Sequence, residues 1–213
     1  MISLTADVHL NIAKTLSHSR ANGPGVRAVI WVQGCTIGCK GCYSGYTHPH
    51  KKVNLVPPAE LSAWVTNIDG IEGITLSGGE PFEQAEAVAE LLNCLKAMRP
   101  DLSIFLFSGY EHDALIQSTN PNIKEVMALT DMLSSGPFIA DLYDENLLWR
   151  GSSNQQLVYI SDRYASTEEP GWIKTSPIEE INMNATSLEY TGFKGKGGHL
   201  YKHLLNLSMR NEI

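Results

Sequence analysis

The chain has 213 residues, of which 43% are hydrophobic and 18% are charged, and its formal net charge is -7 at pH 7. This composition is typical of one globular domain with an extension and argues against extensive disorder. The negative charge disfavours a nucleic-acid partner, because phosphate binding needs concentrated Lys and Arg. Residues 1–16 lack the basic start and apolar core of a secretory signal. No apolar run is long enough to span a bilayer, so we expect a cytoplasmic protein without a membrane partner.

Strands and helices alternate along the first 160 residues. Short apolar runs predict strands over residues 26–33, 73–76, 103–107, 131–133 and 156–160. Helical spacing of apolar residues predicts helices over residues 59–67 and 82–98 and weaker helices up to about residue 129. This alternation predicts βαβ units around a mostly parallel sheet, in which ligand sites lie at the carboxyl ends of the strands.

The pattern weakens after residue 160. A turn-rich stretch surrounds Pro170, residues 178–190 predict a hairpin, and residues 199–207 predict a short final helix. We therefore expect a core domain over residues 1–160 and a C-terminal extension over residues 161–213 that packs on it.

Three of the four cysteines lie within eight residues, directly after the first predicted strand. This cysteine loop has the spacing CxxxCxxC and contains Cys35, Cys39 and Cys42. In a reducing compartment, crowded cysteines are more often metal ligands or free thiols than disulfides. A 4Fe-4S cluster usually takes four Cys ligands, so three would leave one iron open to another molecule. The alternative is a zinc site completed by His48 or His50. Cys94, on the predicted long helix, is interpreted as a small buried hydrophobic residue.

A second motif, LSGGEPF, occupies residues 76–82 at the end of another predicted strand. Gly78 and Gly79 allow a ligand to approach the backbone closely, and backbone carbonyls together with Glu80 can accept hydrogen bonds from an ammonium group. The alternative is a strand-to-helix turn in which Glu80 only favours the helix dipole. This turn, the cysteine loop and the SGY turn at residues 108–110 all follow strands, so we expect them to meet at one edge of the sheet.

Seven motifs follow one another between about residues 22 and 155. They are GPGVR, QGC, CxxxCxxCY, LSGGEP, SGY, DMLSSGPF and LLWRGSSNQ. Together they resemble the radical S-adenosylmethionine superfamily, and within it the activating enzymes of glycyl radical enzymes such as anaerobic ribonucleoside-triphosphate reductase. The sequence differs from the common pattern at Gly41, where many members have an aromatic residue, and at Ser44 and Ser135, where the reductase activators have Asn and Asp.

The resemblance implies an α/β fold, a partial (β/α) barrel of the radical S-adenosylmethionine type with a C-terminal extension. It implies that the three cysteines of the loop bind one 4Fe-4S cluster and that S-adenosylmethionine chelates the open iron. Reduction would then cleave S-adenosylmethionine to methionine and a 5′-deoxyadenosyl radical, which removes hydrogen from a glycine of a partner enzyme. Implied partners are a glycyl radical enzyme similar to anaerobic ribonucleotide reductase and an electron donor such as flavodoxin or ferredoxin.

The resemblance also implies residue roles. The cofactor-binding set is Gly78, Gly79, Glu80, Ser108 and Tyr43, and the first three would bind the methionine amine. Arg27 and Arg150 are candidates to hold a carboxylate or a peptide backbone through bidentate donors, and Asn154 and Gln155 are candidates to bind an extended peptide loop. For these four residues, ion pairs and turn caps are equally consistent with the sequence.

Two other functions fit the same residues. One is a radical S-adenosylmethionine enzyme that modifies a different peptide or a small molecule. The other is a noncatalytic iron-sulfur or zinc protein that keeps the cysteine loop for structure.

Overall fold

The computed structural model describes residues 8–177, 179–183 and 188–192. Nine strands lie in this part of the chain: β1 Leu10–Ser19, β2 Arg27–Val32, β3 Leu55–Val56, β4 Gly73–Gly78, β5 Ser103–Ser108, β6 Met132–Ser135, β7 Gln156–Tyr159, β8 Glu179–Met183 and β9 Leu188–Gly192. The α-helices are α1 Pro58–Thr66, α2 Ala85–Met98, α3 His112–Ile116, α4 Pro121–Leu129 and α5 Glu169–Thr175. The predicted final helix over residues 199–207 lies outside the described residues.

Seven strands form one sheet in the order β3-β1-β2-β4-β5-β6-β7. The pairs β2-β4, β4-β5 and β5-β6 are parallel, whereas β1 and β7 run antiparallel to their neighbours. Strands β8 and β9 form a separate antiparallel hairpin, which was predicted. The α/β fold with a mostly parallel sheet is therefore confirmed. Closure of this sheet into a partial barrel stays a prediction.

Two faces of the sheet bury different side chains. On one face, alternate residues of the parallel strands pack against α1, α2 and α4 in the main apolar core, which includes Ile30, Leu76 and Leu106. A smaller cluster contains Phe105, Met132, Leu148, Trp149 and Tyr164. Since successive strand residues alternate between faces, Thr75 and Ser77 lie on the opposite side of the sheet from Leu76 and the main core.

The strands β1 and β3 and the helix α5 differ from the predictions. The ten-residue strand β1 was not predicted, because its sequence LNIAKTLSHS mixes polar and apolar residues without a clear period. Helix α5 lies where a turn-rich stretch was expected, since Pro170 falls in the first turn of a helix, where proline is tolerated. Cys94 is buried on α2, as predicted. Among the described helices, none is long and apolar enough to cross a membrane.

Candidate active site

A cavity of about 520 Å³ lies at the carboxyl ends of β2, β4, β5 and β6. Its walls include all three cysteines of the loop, the turn Gly78–Glu80, and Ser108. The three motifs that were expected to meet at one edge of the sheet therefore share one cavity. Its volume is within the range of sites for small molecules and cofactors, which is roughly 300–1,000 Å³.

The cysteine loop is held by backbone hydrogen bonds to the segment that follows it. The N–H of Gly34 donates to the carbonyl of Thr47 at 2.7 Å, and the N–H of Cys35 donates to the carbonyl of His48 at 3.0 Å. Within the loop, Gly41 has a φ of +81° and an added Cβ would lie 3.5 Å from the Phe138 ring. The left-handed backbone explains why this chain has glycine where many superfamily members have an aromatic residue.

The three thiols suit a metal cluster by chemistry and exposure. All three cysteines are free thiols that are neither fully buried nor fully exposed. Burial raises the pKa of the Cys35 and Cys42 thiols, and backbone hydrogen bonds oppose this effect. Iron would favour the thiolate form, because the thiolate is the metal ligand. Within the described ranges, no three His, Cys, Asp or Glu side chains are grouped closely enough to hold a single metal ion.

The Gly78–Glu80 turn packs directly on the cysteine loop. The N–H of Gly79 donates to the carbonyl of Val32 at 2.8 Å, and the N–H of Glu80 donates to the carbonyl of Gly34 at 2.8 Å. A Cβ at Gly79 would lie 2.1 Å from the carbonyl oxygen of Gly34. Glycine is thus required here because two backbone segments touch, a reason that the sequence motif alone did not supply.

Glu80 joins the two turns that follow β4 and β5. Its side chain is 1% exposed and accepts hydrogen bonds from the N–H of Phe82 at 3.0 Å, the Ser108 hydroxyl at 3.0 Å and the N–H of Gly109 at 2.8 Å. Burial raises the pKa of Glu80 to about 7 although these three hydrogen bonds oppose the rise. The Ser108 oxygen also accepts from the N–H of Tyr110 at 3.0 Å. Glu80 and Ser108 therefore both line the cavity and are both held in place by hydrogen bonds within the chain.

An aromatic wall lies beside the third cysteine. The rings of Tyr43 and Phe138 are 5.5 Å apart, and a Cβ at Gly151 would come within 2.7 Å of Tyr43. Gln155 accepts from the N–H of Gly151 at 2.7 Å and donates to the carbonyl of Gly136 at 2.8 Å. Phe138 and Gly151 were not predicted as site residues, although they belong to the motifs DMLSSGPF and LLWRGSSNQ.

Arg27 is not among the described residues that line the cavity. Its side chain is fully buried. Its guanidinium donates to Thr75 Oγ1 at 2.8 Å, Ser103 Oγ at 2.8 Å and the carbonyl of Ile74 at 2.6 Å. A buried charge needs such internal acceptors, so the donors of Arg27 are used within the core.

Arg150 and Asn154 are also engaged within the chain. Arg150 forms an ion pair with Glu169, and Asn154 donates to the carbonyl of Pro137 at 2.8 Å. Neither is among the described residues that line the cavity, whereas Gln155 is. In the structure, Arg150 therefore makes an ion pair and Asn154 a hydrogen bond to a backbone carbonyl, as the alternative interpretation of these residues expected.

Two parts of the cavity wall were missed. Lys14 and Trp31 contribute from β1 and β2, with the Lys14 ammonium 4.4 Å from the centre of the Trp31 ring. The β9 residues Glu189 to Gly192 also line the cavity. Nothing in the local sequence marks Lys14 or β9, because their position depends on how the hairpin docks.

Comparisons with known proteins agree with this site. Residues 21–158 match the family model of the 4Fe-4S single cluster domain. The anaerobic ribonucleoside-triphosphate reductase-activating protein of Escherichia coli strain K12 is 34% identical over 148 residues, covering 65% of this chain and 92% of that protein. The protein of the same name from Enterobacteria phage T4 is 31% identical over 140 residues, covering 64% and 85%.

Among solved structures, QueE from Escherichia coli is 17% identical with a TM-score of 0.40, covering 49% of this chain and 54% of that one. The family model names a 4Fe-4S cluster, and the similarity to reductase-activating proteins implies S-adenosylmethionine as the second cofactor. The chain therefore belongs to the family of radical S-adenosylmethionine activating enzymes with a single 4Fe-4S cluster.

Proposed function

We propose that this enzyme uses the radical formed from S-adenosylmethionine to install a glycyl radical on a partner enzyme, an anaerobic ribonucleoside-triphosphate reductase. The observation that carries the proposal is the meeting of the three cysteines, the Gly78–Glu80 turn and Ser108 in one cavity. The names of relatives that are 31–34% identical support the choice of partner.

The proposal assigns three iron ligands. Cys35, Cys39 and Cys42 would hold the cluster, and with three protein ligands one iron would stay open to S-adenosylmethionine. When bound, the cluster and S-adenosylmethionine supply the one-electron cleavage that yields methionine and a 5′-deoxyadenosyl radical. Cys94 takes no part, because it is buried on α2 away from the residues that line this cavity.

The Gly78–Glu80 turn orients the methionine end of the cofactor. Gly78 and Gly79 line the cavity, and their backbone carbonyls would accept hydrogen bonds from the amine. The Glu80 carboxylate, with a pKa of about 7, becomes fully ionised next to a cation and adds a charge-assisted contact. Tyr43 and Phe138 cover the side of the cavity next to Cys42 and keep water from the reacting groups.

The remaining parts of the proposal concern the rest of the chain. Residues 1–160 form the radical S-adenosylmethionine core and residues 161–213 form an extension on it. A flavodoxin or ferredoxin supplies the electron, and a reducing cytoplasm keeps the three thiols available for iron. Four residues were expected to contact the substrate or partner, and of these Gln155 lines the cavity. We propose Gln155 as a contact for the partner.

The test is anaerobic reconstitution with iron and sulfide, followed by incubation with a reductant, S-adenosylmethionine and the candidate reductase. We expect 5′-deoxyadenosine to form and the reductase to acquire a glycyl radical signal by electron paramagnetic resonance. A Cys39→Ala variant should give neither product, and a Cys94→Ala variant should give both. Cofactor cleavage without a glycyl radical would reject this partner and favour a different peptide or a small molecule as substrate.

A further inference from the structure

We propose that Lys14 on β1 and Glu189 on β9, which both line the cavity, bind a peptide group of the partner next to its reacting glycine. This inference rests on the proposed function and assigns a part of the cavity wall that lies outside the family domain. The pair contacts the partner and not S-adenosylmethionine.

The hairpin is docked on the core by specific contacts. Glu180 on β8 accepts hydrogen bonds from the Ser19 hydroxyl at 2.7 Å and from the N–H of Arg20 at 3.0 Å. On β9, Thr191 accepts from the side-chain amide of Asn22 at 2.9 Å. These contacts fix β9 beside β1, so Glu189 and Lys14 line the same cavity as the three cysteines.

Glu189 and Lys14 present complementary hydrogen-bonding groups. Oε2 of Glu189 is buried and accepts no hydrogen bond from any described residue, Lys14 included. The Lys14 ammonium lies 4.4 Å from the Trp31 ring centre; burial lowers its pKa, and the charge of Glu189 opposes that shift. A buried carboxylate oxygen without a donor is costly, so a ligand that supplies an N–H would be favoured there.

The chemistry of the pair fits a peptide better than the cofactor. A glycine has no side chain, so a protein that recognises a chain at a glycine must bind its backbone N–H and C=O groups. Glu189 can accept from the N–H, and Lys14 can donate to the C=O. The two cationic groups of S-adenosylmethionine would be repelled by Lys14 and attracted by Glu189, so the pair as a whole does not select them. A peptide group matches both residues, because it has one donor and one acceptor.

The extent of the family domain also supports a role of Lys14 and Glu189 in binding the partner. The 4Fe-4S single cluster domain matches residues 21–158, a range that contains every residue assigned to the cluster or to S-adenosylmethionine. Lys14 and Glu189 both lie outside this range. A wall that the shared domain does not include is suited to selecting the partner of this particular chain.

The experiment compares Glu189→Gln and Lys14→Met with matched controls on exposed helix surfaces, Glu86→Gln and Lys124→Met. With reconstituted enzyme and the candidate reductase, we expect each cavity variant to raise the KM for the reductase about tenfold, as for loss of one charge-assisted hydrogen bond. The dissociation constant for S-adenosylmethionine should stay within about twofold of the wild type. Both controls should match the wild type in both measurements.

The outcomes separate this inference from the proposed function. A wild-type enzyme that cleaves S-adenosylmethionine but makes no glycyl radical rejects the function on which the inference rests. If the wild type activates the reductase and Glu189→Gln activates it equally well, only the inference is wrong. Weaker binding of S-adenosylmethionine that accounts for the whole loss would place the pair at the cofactor and also overturn the inference. Circular dichroism melting confirms that each variant is folded.

Discussion

Replacement of Gly79 by alanine tests whether the turn after β4 rests on the cysteine loop. The added Cβ would lie 2.1, 2.8 and 3.0 Å from the O, C and N atoms of Gly34. All three are backbone atoms, so relief requires the two segments to move apart by roughly 1.3–1.9 Å to reach ordinary contact distances. Such overpacking typically costs about 1–3 kcal/mol.

The same movement would weaken the two hydrogen bonds that join the segments, from Gly79 to Val32 and from Glu80 to Gly34. At about 1 kcal/mol each, their loss raises the expected destabilisation to about 3–5 kcal/mol. Urea unfolding followed by circular dichroism measures this loss. Iron and sulfide analysis after reconstitution should also show reduced cluster content, because the ligand-bearing loop is displaced.

Gly45 provides the matched control, since a Cβ there meets no heavy atom within 4 Å and it also lies close to the cysteine loop. The Gly45→Ala variant should keep the wild-type free energy of unfolding to within about 0.5 kcal/mol. Equal stability of Gly79→Ala and the wild type, or an equal loss in both variants, would refute the packing argument.

Three further changes test other parts of the structure. Folding raises the pKa of Glu80 from 4.5 to about 7, so the protonated side chain contributes fully to stability below pH 4.5 and this contribution is lost as the pH rises through 7. The resulting fall in the free energy of unfolding is roughly 3 kcal/mol. The Glu80→Gln variant should lack this fall when metal-free protein is unfolded in urea across the same pH range. The variant Arg27→Met should lose about 3–5 kcal/mol in the same assay, because it leaves several buried acceptors without donors, whereas an undiminished free energy of unfolding would contradict the network described. Cys94→Ala should bind as much iron as the wild type, and a loss of iron would contradict its assignment as a core residue.

The main elements of the sheet could be predicted because their residues are buried on both sides and read as continuous apolar runs. Strand β2, with all six residues buried, is the clearest example. Strand β1 has mostly half-buried residues and an irregular pairing with β2, so its sequence lacks a strong period. Its existence depends on pairing with β2, which local sequence does not encode.

One part of the candidate site could be predicted from the sequence and another part could not. The cysteine loop and the turns after β4 and β5 could be placed together because the ends of parallel strands share an edge. The burial of Arg27 could not be predicted, because charged residues are rarely buried and its partners, Thr75 and Ser103, lie far away in sequence. The role of Lys14 and Glu189 in the wall depends on tertiary docking of the hairpin and could not be read from their neighbours.

The most direct test of the account is the electron paramagnetic resonance spectrum of the reconstituted, reduced protein before and after S-adenosylmethionine is added. Three thiolate ligands predict a 4Fe-4S signal whose g-values change on addition, because the cofactor binds the open iron. A signal that S-adenosylmethionine leaves unchanged, or protein that holds iron equally well in a Cys39→Ala variant, would contradict the assignment of Cys35, Cys39 and Cys42.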